Sequence, residues 1–205
     1  MPKIKICGLT RTADIFFVNE AMCDYVGFVF AEGSRRKVTV SQAKLLKDSL
    51  SHEILSVGVF SDNKLDFIEN ICQKGIIDII QLHGNESEEF VSKVKTVTGK
   101  PIIKAISAHS FDKVAQGEQS LADYILFDTY SPYMKGGTGK VFDWDLLKGV
   151  TRPFFLAGGI NLSNIALAYQ RLKPFCFDVS SGAETDGVKD KDKINSMVKL
   201  VRSLK

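Results

Sequence analysis

Short apolar runs alternate with longer amphipathic segments from one end of the chain to the other. The runs are rich in Val, Ile and Phe and are nonpolar on both faces, which is typical of strands in a parallel sheet covered by helices. Successive runs begin about 20 to 30 residues apart, the length of a strand, a helix and their loops. Strands are predicted at residues 3–7, 24–30, 54–60, 76–82, 100–106, 122–128, 153–158 and 174–180.

The segments between these runs show the spacing of amphipathic helices. The segment 10–22, for example, brings Ile15, Phe16, Val18 and Met22 toward one side. Helices are predicted at residues 10–22, 41–50, 63–75, 87–98, 161–172 and 189–204, with shorter ones at 109–116 and 142–147.

Eight strand–helix units fit either a closed barrel or an open, doubly wound sheet. The number of units and the lack of a GxGxxG turn after the first strand favour the barrel. Neither a Pro-, Gly- or Ser-rich linker nor a shift in composition divides the sequence. We therefore expect residues 1–205 to form a single α/β domain, a TIM (β/α)8 barrel with a closed parallel sheet.

Composition narrows the class of protein further. The chain has 205 residues, of which 44% are hydrophobic, and a net charge of +3, which excludes a mainly disordered protein. No apolar run approaches the roughly 20 residues of a membrane-spanning helix. The first residues lack the apolar core of a signal peptide, so we expect a cytoplasmic protein with no membrane partner. The densest basic cluster, at residues 35–37, is too small for a nucleic-acid-binding surface.

The spacing of the four cysteines fits neither a disulfide framework nor a zinc site. No CxxC pair occurs, and no cysteine has a histidine at ligand spacing. We interpret Cys23, Cys72 and Cys176 as small buried apolar residues. No metal and no other cofactor is predicted.

Polar side chains and glycines collect where the predicted strands end. In (β/α)8 barrels this carboxyl-end face carries the active site. The candidates are Cys7 and Gly8, the loop 33–36, His83 and Gly84, Asp128, Gly158 and Gly159, and Ser180, Ser181 and Gly182.

The last two of these sets favour a phosphate site. Gly158 and Gly159 allow backbone N–H groups to approach an anion, and the Ser-Ser-Gly sequence adds two hydroxyl groups and further N–H groups. Loops after strands seven and eight hold phosphate in many barrels, although each set is also compatible with an ordinary turn. The glycine-rich stretch 136–140 is not a Walker A loop, because Val141 follows Lys140. It fits either a loop that folds over a ligand or a plain flexible connection.

Cys7 and Asp128 form a candidate acid–base pair. Strand alternation places Lys5 and Cys7 on one face, which we expect to point into the barrel, because Ile4 and Ile6 suit the helix layer. A cation two residues away would favour the thiolate and lower the pKa of Cys7, which would suit it to act as a base or a nucleophile; its resting protonation stays open. Asp128 ends strand six, roughly opposite, unless it serves only as a helix cap or turn residue. A proton acceptor facing a proton donor suggests isomerisation by proton transfer.

Closure of the barrel also predicts a partner for Lys5. Strand eight would lie beside strand one, which brings Asp178 next to the Lys5 side chain. An unpaired charge inside a protein is costly, so we expect an ion pair between the two.

Several of these motifs together resemble the phosphoribosylanthranilate isomerase family. The resemblance spans nearly the whole chain, and its first and last motifs are the most specific. It is carried by KICGLT at 5–10, VGFVF at 26–30, QLHG at 81–84, Asp128 with Thr129, GGTG at 136–139 with FDW at 142–144, LAGGIN at 156–161 and DVSSG at 178–182.

The resemblance implies a TIM barrel that catalyses an Amadori rearrangement without metal or cofactor. N-(5-phosphoribosyl)anthranilate would become 1-(2-carboxyphenylamino)-1-deoxyribulose 5-phosphate, a step of tryptophan biosynthesis. By the same resemblance, Asp128 is the general acid that opens the furanose ring, and Cys7 is the general base that removes the C2 proton.

The resemblance also implies the binding residues. Arg36 would bind the anthranilate carboxylate, with its neighbour Arg35 as the alternative, while His83 and Asp178 would line the pocket. The family includes monomers and dimers, so a monomer and a homodimer both remain open. The phosphate would be bound by Gly158, Gly159, Ser180, Ser181 and Gly182.

Two other kinds of function remain as alternatives. Other phosphosugar barrels share the phosphate loops; ribulose-phosphate epimerases use metal-binding histidines, but only His83 of three histidines ends a strand. Indoleglycerol-phosphate synthases use lysine and glutamate, and Lys104 lies within predicted strand five with no glutamate at a neighbouring strand end. A barrel retained only for binding is disfavoured by the intact pair Cys7 and Asp128.

Overall fold

The structure, a computed structural model, describes residues 1–128 and 144–205. Eight parallel strands close into one barrel in sequence order, which confirms the predicted TIM barrel. The strands are β1 (Lys3–Cys7), β2 (Tyr25–Val29), β3 (Leu55–Phe60), β4 (Ile79–Leu82), β5 (Ile102–Ser107), β6 (Tyr124–Asp128), β7 (Phe154–Ala157) and β8 (Cys176–Val179).

Helices connect the strands on the outside of the barrel. Within the described residues, none of them is long and apolar enough to cross a bilayer. They are α1 (Thr12–Ala21), α2 (Val40–Asp48), α3 (Leu65–Gln73), α4 (Glu88–Thr98), α5 (Phe111–Glu118), α6 (Ile165–Leu172) and α7 (Lys191–Ser203).

Two connections depart from the regular strand–helix alternation. The helix predicted at 142–147 is a single 3-10 turn at Trp144–Leu147, and residues 142 and 143 lie outside the described residues. After β8 comes a 3-10 turn at Ser181–Ala183, followed by a small antiparallel hairpin of β9 (Glu184–Thr185) and β10 (Val188–Lys189). This hairpin brings charged residues to the edge of the barrel mouth.

Strand alternation divides the apolar residues into two layers. Ile4 and Ile6 are fully buried between the barrel and its helices. The barrel interior below the mouth is filled by a second cluster that includes Tyr25, Leu126 and Phe155. Apolar packing therefore fills the lower part of the barrel.

Helix α1 buries a narrower face than predicted. Ile15 and Val18 are buried, as expected, but Phe16 is 62% and Met22 is 65% exposed. Phe16 is one position away from the buried stripe, and Met22 adopts a left-handed conformation that ends the helix. The prediction for these two side chains is therefore wrong.

Candidate active site

A cavity of about 450 Å³ opens at the carboxyl ends of the strands. Gly182 lies beside this cavity, whereas the other predicted site residues are part of its lining. These lining residues are Cys7, Arg36, His83, Asp128, Gly158, Gly159, Asp178, Ser180 and Ser181.

The predicted ion pair between Lys5 and Asp178 is confirmed. The β1–β8 register places the two residues directly opposite each other. The fully buried Lys5 Nζ lies 3.0 Å from Asp178 Oδ1 and 3.1 Å from Oδ2. It also donates to Gln81 Oε1 at 2.9 Å. Burial disfavours the ammonium, but Asp178 and Cys7 together outweigh this effect and raise the Lys5 pKa, so Lys5 remains charged.

Cys7 lies at the mouth of the barrel, above Lys5, with 8% of its surface exposed. Burial raises the pKa of its thiol, and the effect outweighs the opposing influence of Lys5 and Lys189. The expected lowering of this pKa is therefore wrong. The nearby Asp178 carboxylate, which pairs with Lys5, itself raises the thiol pKa.

Asp128 is the last residue of β6 and lies beside His83 in the cavity lining. Its Oδ2 atom is 3.3 Å from His83 Nε2. The other ring nitrogen of His83, Nδ1, is 2.9 Å from Nε2 of Gln81. The candidate acid therefore has a polar neighbour held from β4.

Arg36 is held at the cavity by Glu184. Its Nε and NH2 groups donate to the two carboxylate oxygens at 2.6 and 2.8 Å, the two-point geometry that suits a guanidinium. The Arg36 stem passes so close to Gly8 that a Cβ there would lie 2.3 Å from Arg36 Cδ. Arg35 also reaches Glu184, but its side chain is 62% exposed, and it is not part of the cavity lining. Of the two arginines, Arg36 is therefore the one that lines the cavity.

Glu184 links Arg36 to the loop after β8. Lys189 Nζ donates to Glu184 Oε1 at 2.7 Å and to the Ser180 carbonyl at 3.0 Å. Burial alone would raise the Glu184 pKa, but the hydrogen bonds from Arg36 and Lys189 lower it to about 2. The carboxylate therefore stays ionised and ties two parts of the cavity wall together.

Replacing Glu184 with glutamine should destabilise the protein in a pH-dependent way. We expect a loss of about 2 kcal/mol in the free energy of unfolding at pH 7, because charged hydrogen bonds are lost. A carboxyl group whose pKa is lower in the folded state stabilises the protein fully when the pH is above its ordinary pKa of 4.5. This contribution to the free energy of unfolding disappears as the pH falls toward 2. Urea unfolding at pH 7, 4 and 3 should show the difference shrinking.

The control for this experiment is Glu53→Gln, which changes an exposed carboxylate. It should leave the free energy of unfolding within about 0.5 kcal/mol of the wild type. A Glu184→Gln effect of the same size at all three pH values would contradict the assignment of a charged, ion-paired Glu184.

The loops after β7 and β8 meet at Gly182. A Cβ on this residue would lie 2.1 Å from the Ile160 carbonyl oxygen, so only glycine permits this contact. The contact holds Ser180 and Ser181 beside Gly158 and Gly159 in the cavity lining. The glycine-rich stretch 136–140, the other candidate ligand loop, lies outside the described residues.

Three residues of this site were given no role in the sequence analysis. Gln81 breaks an apolar strand with a polar group on the same face as His83, which is a signal that the pattern did contain. Glu184 and Lys189 follow the last strand in a segment without periodicity. Only the hairpin of β9 and β10 shows that they face Arg36 and Ser180.

Comparison with known proteins identifies the family. The family model described as "N-(5'phosphoribosyl)anthranilate (PRA) isomerase" matches residues 4–200. The chain belongs to this family. Among its relatives, the N-(5'-phosphoribosyl)anthranilate isomerase of Endomicrobium trichonymphae is 51% identical over the full length of both chains. The isomerase of Clostridium acetobutylicum is 40% identical, again over the full length of both.

Solved phosphoribosylanthranilate isomerases share the fold. The Thermotoga maritima structure superposes with a TM-score of 0.88 at 33% identity, covering all of both chains. A second structure, in complex with reduced 1-(o-carboxyphenylamino)-1-deoxyribulose 5-phosphate, has a TM-score of 0.86 at 30% identity and also covers both chains fully. As a member of the phosphoribosylanthranilate isomerase family, this protein is an isomerase.

Proposed function

We propose that this protein converts N-(5'-phosphoribosyl)anthranilate into 1-(2-carboxyphenylamino)-1-deoxyribulose 5-phosphate, an Amadori rearrangement in tryptophan biosynthesis. The observation that carries the proposal is the shared cavity of Cys7 and Asp128, a thiol and a carboxyl group that both line it. Family membership supports this choice of substrate, because the relatives are named N-(5'-phosphoribosyl)anthranilate isomerase. A solved relative also binds a reduced form of the product named here.

Asp128 is the general acid of the first step. It gives a proton to the furanose ring oxygen as the bond from that oxygen to C1 breaks. The anthranilate nitrogen supplies the electron pair that forms the C1=N bond of the protonated Schiff base. Asp128 is left as a carboxylate, 3.3 Å from His83 Nε2.

Cys7 is the general base of the second step. Its thiolate takes the proton from C2, and the electron pair of that bond moves toward the positively charged nitrogen to give an enolamine. Protonation at C1 and loss of the hydroxyl proton then yield the ketone. Burial reduces the thiolate fraction by raising the pKa, but it also makes the thiolate a stronger base. The cationic Schiff base and the nearby Lys5 ammonium both favour the charged form.

The remaining lining residues bind the two ends of the substrate. Arg36 uses two of its N–H donors on Glu184, which leaves others for the anthranilate carboxylate. Ser180 Oγ donates to the Cys7 carbonyl at 3.3 Å, so the phosphate loop is tied directly to the base. We assign His83 and Asp178 to the pocket wall and the phosphate to Gly158, Gly159, Ser180, Ser181 and Gly182.

A single domain of residues 1–205 and a cytoplasmic location belong to the same proposal. The first and last barrel strands, β1 and β8, pair directly, and α7 packs against α1 and β1. A monomer and a homodimer both remain compatible with the proposal. A Thermotoga maritima relative is described as dimeric.

The function is tested by adding purified wild-type protein to freshly generated N-(5'-phosphoribosyl)anthranilate. The measured signal is the loss of the fluorescence of this substrate. Turnover that saturates with substrate, together with the expected ketose product in mass and NMR spectra, supports the proposal. Absence of turnover by folded protein would overturn the isomerase assignment, and other phosphosugars would then be assayed.

A further inference from the structure

A continuous series of polar side-chain contacts crosses the barrel between two carboxylates. It begins with the Asp178–Lys5 ion pair and passes from Lys5 Nζ to Gln81 Oε1 over 2.9 Å. It continues with a hydrogen bond from Gln81 Nε2 to His83 Nδ1 over 2.9 Å. On the other side of the ring, His83 Nε2 lies 3.3 Å from Asp128 Oδ2. The series joins four strands or strand ends, and its central member, Gln81, is buried.

The orientation of the Gln81 amide follows from its charged neighbour. The Lys5 ammonium has three donors and no acceptor, so it must face the amide oxygen. Turning the amide around would place an NH2 group against a buried ammonium and leave two donors opposed. The NH2 group of Gln81 is therefore directed at His83.

This orientation decides which nitrogen of His83 carries the hydrogen. The amide NH2 group donates and does not accept, so Nδ1 of His83 must be the acceptor and carry no hydrogen. The ring hydrogen then resides on Nε2, the nitrogen that faces Asp128. Lys5, held by Asp178, thus determines through Gln81 which ring nitrogen of His83 carries the hydrogen beside Asp128.

We propose that Gln81 is a positioning residue that fixes His83 in the Nε2–H tautomer, so that Asp128 always faces a ring N–H donor. The catalytic consequence rests on the proposed function. When Asp128 gives its proton to the furanose oxygen, the N–H group stabilises the carboxylate that is formed. A histidine with hydrogen on Nδ1 would instead present a lone pair to that carboxylate and oppose the step.

The alternative role for Gln81 is purely structural, as an extra acceptor for the Lys5 ammonium. Gln81→Glu separates the two roles, because it keeps the size of the side chain and an oxygen for Lys5. It also replaces the donor that faces His83 with an acceptor. We expect hydrogen to move onto Nδ1 of His83 and kcat to fall by about tenfold to a hundredfold, with KM changed less than threefold.

Long-range 1H–15N correlation spectra of the unliganded protein at pH 7.5 measure the tautomer directly. The His83 signals are assigned by their loss in His83→Gln, which separates them from those of His52 and His109. Wild type should show an unprotonated Nδ1 and a protonated Nε2, and Gln81→Glu should show a protonated Nδ1. A wild-type Nδ1–H, an unchanged pattern in Gln81→Glu, or a wild-type kcat in that variant would overturn the proposal.

Gln81→Met provides a second variant of similar volume that neither donates nor accepts. It should leave His83 as a mixture of both tautomers with an intermediate kcat, and it decides the question if Gln81→Glu does not fold. A Gln81→Met variant in which His83 remains entirely in the Nε2–H form would overturn the proposal. Absence of wild-type turnover would overturn the proposed function, whereas the spectra decide the tautomer independently of activity.

Discussion

Replacing Asp128 with asparagine lowers kcat by about 10²–10⁴-fold, the usual contribution of a positioned general acid. Asparagine has nearly the same size and keeps a polar group beside His83, but it has no acidic proton for the furanose oxygen. In the proposed assignment, substrate binding depends mainly on Arg36 and the loops after β7 and β8, so KM should change less than threefold. Initial rates of fluorescence loss over a range of substrate concentrations give both constants.

The matched control for this variant is Asp123→Asn. Asp123 immediately precedes β6, at the opposite end of the barrel, where its carboxylate accepts from the Ile102 N–H and pairs with Lys95. The same chemical change there should lower stability and leave kcat within about twofold. An Asp128→Asn enzyme that retained more than a tenth of the wild-type kcat would contradict the assignment of the acid.

Replacing Cys7 with serine should lower kcat by a similar factor, about 10²–10⁴-fold. The hydroxyl group fits the space of the thiol, but it ionises far less readily, so almost no anion is available to take the C2 proton. Lys5, Asp178 and the phosphate loop keep their contacts, and KM should therefore change little. Steady-state rates of the variant measure kcat and KM, and its circular dichroism spectrum checks that the fold is retained.

Cys72→Ser is the control for this substitution. Cys72 lies in α3, packed against the outer core and remote from the cavity lining. Its replacement should leave kcat and KM within about twofold of the wild type. Equal losses in the two serine variants would indicate a general effect on the fold and contradict a specific role for Cys7.

The barrel and its main ion pair were predictable because they follow from repeating geometry. Apolar runs at regular spacing define parallel strands, and closure brings the first strand beside the last. Once Lys5 is placed inside by alternation, the β1–β8 pairing leaves Asp178 as its counter-ion. The same reasoning placed most candidate site residues at the mouth of the barrel.

The features that could not be predicted from the sequence depend on three-dimensional contacts, which the pattern of apolar and polar residues does not contain. The pKa of Cys7 is set by burial against nearby charges, and the spacing from Lys5 reveals only one of these effects. The position of Glu184 depends on a two-residue hairpin outside the strand–helix repeat. The role of Gln81 emerges only when its neighbours are known, because the donor pattern of an amide is decided by what it contacts.

The most direct test of the acid–base mechanism is the single-turnover rate of substrate carrying deuterium at C2, compared with unlabelled substrate. If Cys7 removes the C2 proton, wild type should convert the deuterated substrate more slowly. The Cys7→Ser variant should then be much slower with both substrates and retain the isotope effect. Near-wild-type rates for Cys7→Ser, with the same sensitivity to deuterium, would show that another group takes the proton and contradict the central role of Cys7.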